Sequence, residues 1–205
     1  MAKFQIDMDE AVHIFVSIVA IALSLSFAQG GISVDAGHFV FLMLIFTFTV
    51  GSGFVLHELA HKFFAVKYGA RARFRAWPAG LVLMLALAIV PQFFGFRLPM
   101  ILAPGAVYIF AYRGQISLKQ NGIISLAGPA TNVALCAIFI ALYLLSPLES
   151  LSAVFFIGAQ VNIFLALFNL LPVFPLDGSK VIAWDWRVWL FAFIVCFLGS
   201  SIVTF

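Results

Sequence analysis

Uncharged stretches at residues 11–34, 36–57, 76–96, 98–112, 120–148, 150–176 and 188–205 take up most of this chain of 205 residues. Most of them reach the roughly 18 to 20 residues that a helix needs to cross hydrocarbon. Charged residues make up 9% of the chain and hydrophobic ones 64%, whereas soluble domains carry roughly a quarter charged. In lipid every backbone amide must find an internal partner, so helices are the form that such runs adopt. The expected fold class is an all-α polytopic membrane protein, a single transmembrane domain over residues 1–205 with about six transmembrane helices and the lipid bilayer as its surroundings. Little chain is left for a soluble domain or a nucleic-acid surface. The first run has the small-x-small pattern Ser26-Phe27-Ala28 of a cleavage site, but Asp7, Asp9 and Glu10 against Lys3 give the wrong charge for a signal peptide, so it reads as a retained helix.

Charge placement orients these helices. Lys62, Lys67, Arg71, Arg73 and Arg75 crowd the segment after the second run, and by the positive-inside rule that segment faces the cytoplasm. The N-terminus is then cytoplasmic in a multi-pass protein of the cell membrane, and the second helix returns inward. Arg113, Lys119, Lys180 and Arg187 fall inside and Glu149 outside. Residues 79–95 form a helix until Pro91 and Gly95 interfere; residues 98–112 are short, hold Pro99, Pro104 and Gly105, and turn β-prone at Val107-Tyr108-Ile109-Phe110. A re-entrant hairpin or short strands are predicted there, because non-helical backbone at membrane depth survives only against protein or a water-filled cavity. The remaining helices are expected at about 121–145, 150–171 and 187–204.

Near the inner end of the second helix stands His57-Glu58-Leu59-Ala60-His61. On a helix, residues four apart share a face, so two imidazoles can grip one metal ion while the glutamate reaches water beside it. With four histidines in the chain, chance produces this pattern roughly once in a thousand such sequences. An ionisable group in a membrane helix costs about 2.5 to 3.5 kcal/mol on insertion scales and marks a functional site by default. A catalytic zinc site normally has three protein ligands and an open position, so a third ligand is needed. Asp35 and Glu149 belong outside and Asp185 lies among interfacial tryptophans, which leaves Asp177 as the best choice. In Asn169-Leu170-Leu171-Pro172-Val173-Phe174-Pro175-Leu176-Asp177-Gly178 two prolines stop helix continuation and the glycine permits a turn. His13 and His38 stand alone at helix starts, and Cys136 and Cys196 lie in apolar runs as small core residues. Asn132 reads as part of a small-residue helix contact with Gly128 and Pro129, and Asn162 as an interhelical hydrogen bond. A competing reading of the same cluster is a membrane metal-ion transporter or channel; it predicts polar residues spread along the helices, whereas here they collect at one depth.

Together with Ala127-Gly128-Pro129-Ala130-Thr131-Asn132, these elements resemble, in their order along most of the chain, the site-2 protease family of intramembrane zinc metalloproteases, in a compact archaeal-type form. The resemblance implies a zinc metalloendopeptidase that cuts transmembrane protein substrates within or near the bilayer. It implies that His57, His61 and Asp177 hold one zinc ion per chain, that Glu58 activates water, and that Asn169 helps bind the substrate carbonyl. A substrate helix must unwind before it is cut, and residues 105–112 are the candidate strand edge to receive it. Many members have Asp-Gly-Gly where this chain has Asp177-Gly178-Ser179.

Overall fold

The computed structural model of the protein describes residues 4–96, 102, 104–111 and 116–203. Its elements are helices α1 (Met8–Gly30), α2 (Ala36–Phe46), α3 (Ser52–Lys67), α4 (Pro78–Ile89), α5 (Leu118–Leu145), α6 (Glu149–Asn169), α7 (Asp177–Trp184) and α8 (Trp186–Val203), with strands β1 (Ala70–Ala76) and β2 (Gly105–Ala111). Among the described residues five helices are long and apolar enough to cross a membrane, namely Met8–Gly30, Ala36–Lys67, Leu118–Leu145, Leu151–Asn169 and Trp186–Val203, while Pro78–Phe94 is shorter. The all-α polytopic class holds, and the expected β element is a two-stranded sheet. The part of that expectation that falls on Pro99, Tyr112 and Arg113 lies outside the described residues.

The second span runs past its uncharged stretch. Its 32 residues, at 1.5 Å each, make a helix of about 48 Å against about 30 Å of hydrocarbon. A wide π turn at Thr47–Gly51 joins α2 to α3. Hydroxyls serve the carbonyls around it: Thr49 Oγ1 donates to the Ile45 carbonyl (2.8 Å) and Ser52 Oγ to that of Thr49 (3.1 Å).

Two compact units make up the chain, one from Gln5–Val55 and Arg73–Tyr108, the other from Met1–Phe4, Leu56–Ala72 and Ile109–Phe205. In the first, Asp7 caps α1 by accepting from the Glu10 amide, and Asp35 caps α2 by accepting from that of His38. The acids that argued against a signal peptide anchor β1. Arg73 Nη2 donates to Asp7 Oδ1 (2.6 Å) and Asp9 Oδ2 (2.8 Å), and the Phe74 amide donates to the buried Glu10 carboxylate (3.0 Å). Trp77 N donates to the Pro104 carbonyl (2.9 Å), which sets the end of β1 against the start of β2, so the strands run antiparallel. A strand at Ala70–Ala76 was not expected, since its arginines read as a topology signal; their alternation with Ala70, Ala72 and Phe74, which are all buried, is the period-two pattern of a half-buried strand.

The second unit is a bundle of α5, α6, α7 and α8 with the C-terminal part of α3. Its apolar core joins Cys136 and Phe139 of α5, Ala159, Ile163 and Ala166 of α6, Leu170, and Cys196 and Val203 of α8. Ser117 and Gln120 cap α5 reciprocally, each side chain accepting from the other's backbone amide. After α6, Pro172 and Pro175 prevent continuation, and the Leu170 carbonyl accepts from Trp189 Nε1 of α8 (2.8 Å). Helix α7 then begins at Asp177, where Gly178 predicts a turn.

Candidate metal centre

Helical spacing brings the His57 and His61 rings of α3 to one face, with their centroids 4.6 Å apart and their Nε2 atoms 3.0 Å apart. Asp177 enters from the first turn of α7, where the helix dipole favours a carboxylate. Its Oδ2 stands 3.4 Å from His57 Nε2 and 3.0 Å from His61 Nε2, and all three residues are buried. Asp177 can come this close because Gly178 has no side chain: a Cβ there would overlap the Leu170 and Leu171 carbonyls at the end of α6. Among the described residues, these three form the one group of histidine, cysteine or acidic side chains with donor atoms close enough to share an ion.

The donor set suits zinc. Ligands at about 2.0 to 2.1 Å in a tetrahedron lie about 3.3 to 3.4 Å from one another. The observed separations of 3.0, 3.0 and 3.4 Å come within about 0.4 Å of that spacing, so these three residues could hold a zinc ion. Tautomers agree with this. His61 Nδ1 lies 2.7 Å from the Ile124 carbonyl, which can only accept, so Nδ1 carries a proton and, in the neutral ring, Nε2 turns a lone pair toward Asp177. His57 Nδ1 lies 2.6 Å from Asn132 Oδ1. The other Asp177 oxygen, Oδ1, accepts from Lys180 Nζ at 3.3 Å, one turn along α7.

Two further features complete the centre. Glu58 is buried, and its Oε2 has no hydrogen-bond partner among the described residues. A buried carboxylate oxygen without a donor is costly, and it suits a group whose partner arrives with the reactants. On α5, Gly128 makes room for the rings: a Cβ there would meet His57 Nε2 and His61 Nε2, each at 2.5 Å.

Other residues singled out from the sequence fall elsewhere. The Asn169 side-chain amide donates to the Leu165 carbonyl of its own helix (3.0 Å). Asp35 caps α2, and Asp185 accepts from the Arg187 amide. His13 stands 3.9 Å from Asp9 on the surface of α1, and the cysteines belong to the apolar core. Asn162 makes the expected interhelical bond, accepting from Asn132 Nδ2 (2.9 Å). Sequence reasoning missed the Asn132 contact to His57, the Ile124 carbonyl and Lys180. The signal available was the step of four from Ile124 through Gly128 to Asn132, which places all three on one face of α5.

Comparison with known proteins bears on the same residues. The model of peptidase family M50 matches residues 146–185, which include α6 and Asp177. A protein of Methanocaldococcus jannaschii with the provisional name zinc metalloprotease MJ0611 is 40% identical over 190 residues, 92% of this chain and 91% of that protein. The similarly named YwhC of Bacillus subtilis is 32% identical over 165 residues, 69% of this chain and 68% of its own length. Rip3 of Mycobacterium tuberculosis is 44% identical over 70 residues, 31% of this chain and 18% of that protein. No solved structure matches.

Proposed function

Because the chain belongs to peptidase family M50, we propose that His57, His61 and Asp177 hold one catalytic zinc ion per chain and that Glu58 is its acid and base. The protein is a zinc metalloprotease embedded in the membrane by its apolar helices. The observation that carries the residue assignment is the convergence of three donor atoms from α3 and α7 within 3.4 Å, beside a buried, unpartnered glutamate oxygen.

Zinc, when bound, supplies a Lewis acid that polarises the scissile carbonyl and acidifies water. The chain's own groups do the rest. Glu58 takes the proton from the attacking water and hands it to the leaving amine, as a general base and then acid. Lys180 keeps Asp177 Oδ1 occupied, which points Oδ2 toward the histidines. Asn169, at the end of α6, is the donor assigned to the substrate carbonyl, on the resemblance alone. Burial of the cluster keeps bulk water away, so each of these interactions acts in a low dielectric.

The substrates are membrane proteins cut within or near a transmembrane segment. An unwound segment would pair with the open edge of β2, since among the described residues the sheet has two strands and leaves one edge of each unpaired. The cationic run of Lys62, Lys67, Arg71, Arg73 and Arg75 supports a cytoplasmic N-terminus and a site that opens toward the cytoplasm of a cell membrane.

Purified protein assayed for zinc and for cleavage of a transmembrane peptide tests the assignment. Glu58→Gln should keep zinc and lose about 10²- to 10⁴-fold in turnover, the share usual for a general base. An undiminished rate would refute the role given to Glu58, and a wild-type chain without zinc would refute the ligand set.

A further inference from the structure

Behind His57 a line of buried amides crosses from α5 to α6. His57 Nδ1 lies 2.6 Å from Asn132 Oδ1, Asn132 Nδ2 donates to Asn162 Oδ1 at 2.9 Å, and Asn162 Nδ2 donates to the Gly158 carbonyl at 2.9 Å. Both asparagines are fully buried. We propose that Asn132 and Asn162 are positioning residues of the metal centre, a two-amide relay that sets the tautomer and direction of the His57 ring.

The line has only one direction. A backbone carbonyl cannot donate, so the atom that Asn162 turns toward Gly158 is its NH₂, and its oxygen therefore faces α5. That oxygen accepts, so Asn132 presents its own NH₂ to Asn162 and its oxygen to His57. His57 Nδ1 must then carry a proton, and in the neutral ring that a metal ion requires Nε2 is left bare toward Asp177 and His61. His61 reaches the same tautomer in one step, from the Ile124 carbonyl. The backbone orients one ring directly and the other through two side chains. An amide alone could rotate by half a turn and offer NH₂ to the ring, which would favour the opposite tautomer; Asn162 prevents that rotation. Groups that orient a metal-binding histidine in this way typically govern metal affinity by 10- to 100-fold.

The inference rests on the ligand assignment proposed above, and its test separates the two. Zinc affinity is measured by competition with a chelator, on wild type, Asn162→Leu, and Asn162→Leu combined with Asn132→Asp. Asn162→Leu, which removes a side chain that does not bond to the ring, should weaken zinc binding about tenfold. Adding Asn132→Asp should restore it, because a carboxylate has two equivalent oxygens and needs no orienting partner. In wild-type protein with ¹⁵N-labelled histidine, the ring nitrogen shifts should report His57 protonated at Nδ1. Unchanged affinity in Asn162→Leu, failure of Asn132→Asp to restore it, or a His57 ring whose Nδ1 carries no proton in the metal-free chain would each overturn the relay while leaving the ligand set standing. If Asn162→Leu does not fold, the wild-type ring shifts decide alone. A wild-type chain that binds no zinc overturns both the ligand set and the relay.

Discussion

Gly128→Ala is the smallest change that tests how the centre is built. A methyl at this position would stand 2.5 Å from both Nε2 atoms, whereas ordinary van der Waals contact begins at 3.4 Å, so rings and helix must separate by about 0.9 Å. Neither side can yield freely. The rings are tied to Ile124 and Asn132, one turn before and one turn after Gly128 on the same face of α5. If the whole displacement fell along those bonds, 2.6 and 2.7 Å would become about 3.5 and 3.6 Å, beyond hydrogen-bond range. Two lost bonds at roughly 0.5 to 1.5 kcal/mol each come to about 1 to 3 kcal/mol, similar to the cost of overpacking a core. Metal sites tolerate only about 0.2 Å in ligand distance, so zinc should suffer far more than the fold. Zinc affinity by chelator competition should fall at least 100-fold, while the helical signal on heating in detergent shifts by only a few degrees. Gly199→Ala serves as a control for adding a methyl in this bundle, since there it meets only the Ile163 side chain, at 3.0 and 3.3 Å. If Gly128→Ala binds zinc and cleaves as well as wild type, the claim that this glycine makes room for the centre is wrong.

Two further outcomes follow from named contacts. Gly178→Ala meets backbone carbonyls of Leu170 and Leu171 rather than a movable side chain, so it should displace Asp177 and lower both thermal stability and zinc content; a variant matching wild type in both would contradict the packing argument. Arg73→Ala removes the ties to Asp7 and Asp9, whose side chains are more than half exposed, and should lower stability by no more than about 1 kcal/mol, measured as a small shift in melting temperature.

Much of this was legible before any coordinates because the bilayer penalises polarity. Uncharged runs located the long helices, with their starts within three residues but two of their ends off by seven to ten, and His57, Glu58, His61 and Asp177 stood out as groups that lipid tolerates only with a purpose. Legibility failed where a residue contributes its backbone or its lack of a side chain. Ile124 acts through its carbonyl, Gly128 through its missing Cβ, and the start of α7 depends on how closely Gly178 approaches the end of α6. Strand β1 was hidden for a different reason: its arginines carry a strong topology signal, and that signal masked the alternation beneath it. Asn132 looked like helix packing because His57 is 75 residues away in sequence, and no local pattern encodes so distant a contact.

The tautomers also explain why a cation belongs in this fold. With protons on both Nδ1 atoms and both rings neutral, as metal binding requires, three acceptors, two nitrogens and one oxygen, face one another at 3.0 to 3.4 Å. In a buried site such a convergence is repulsive unless a cation or a proton lies between the acceptors, and each acceptor left without a donor costs roughly 1 to 3 kcal/mol. The chain nonetheless enforces it, through Ile124 and Asn132 on one side and the Gly178 packing and Lys180 on the other. A fold that spends backbone and buried amides to hold these groups together, and turns both Nδ1 protons outward, is complementary to a positive charge at their centre. Lys180 cannot be that charge, because its Nζ lies on the far oxygen of Asp177. Complementarity to a metal ion is thus written into the hydrogen-bond directions around the site as well as into its ligand spacing.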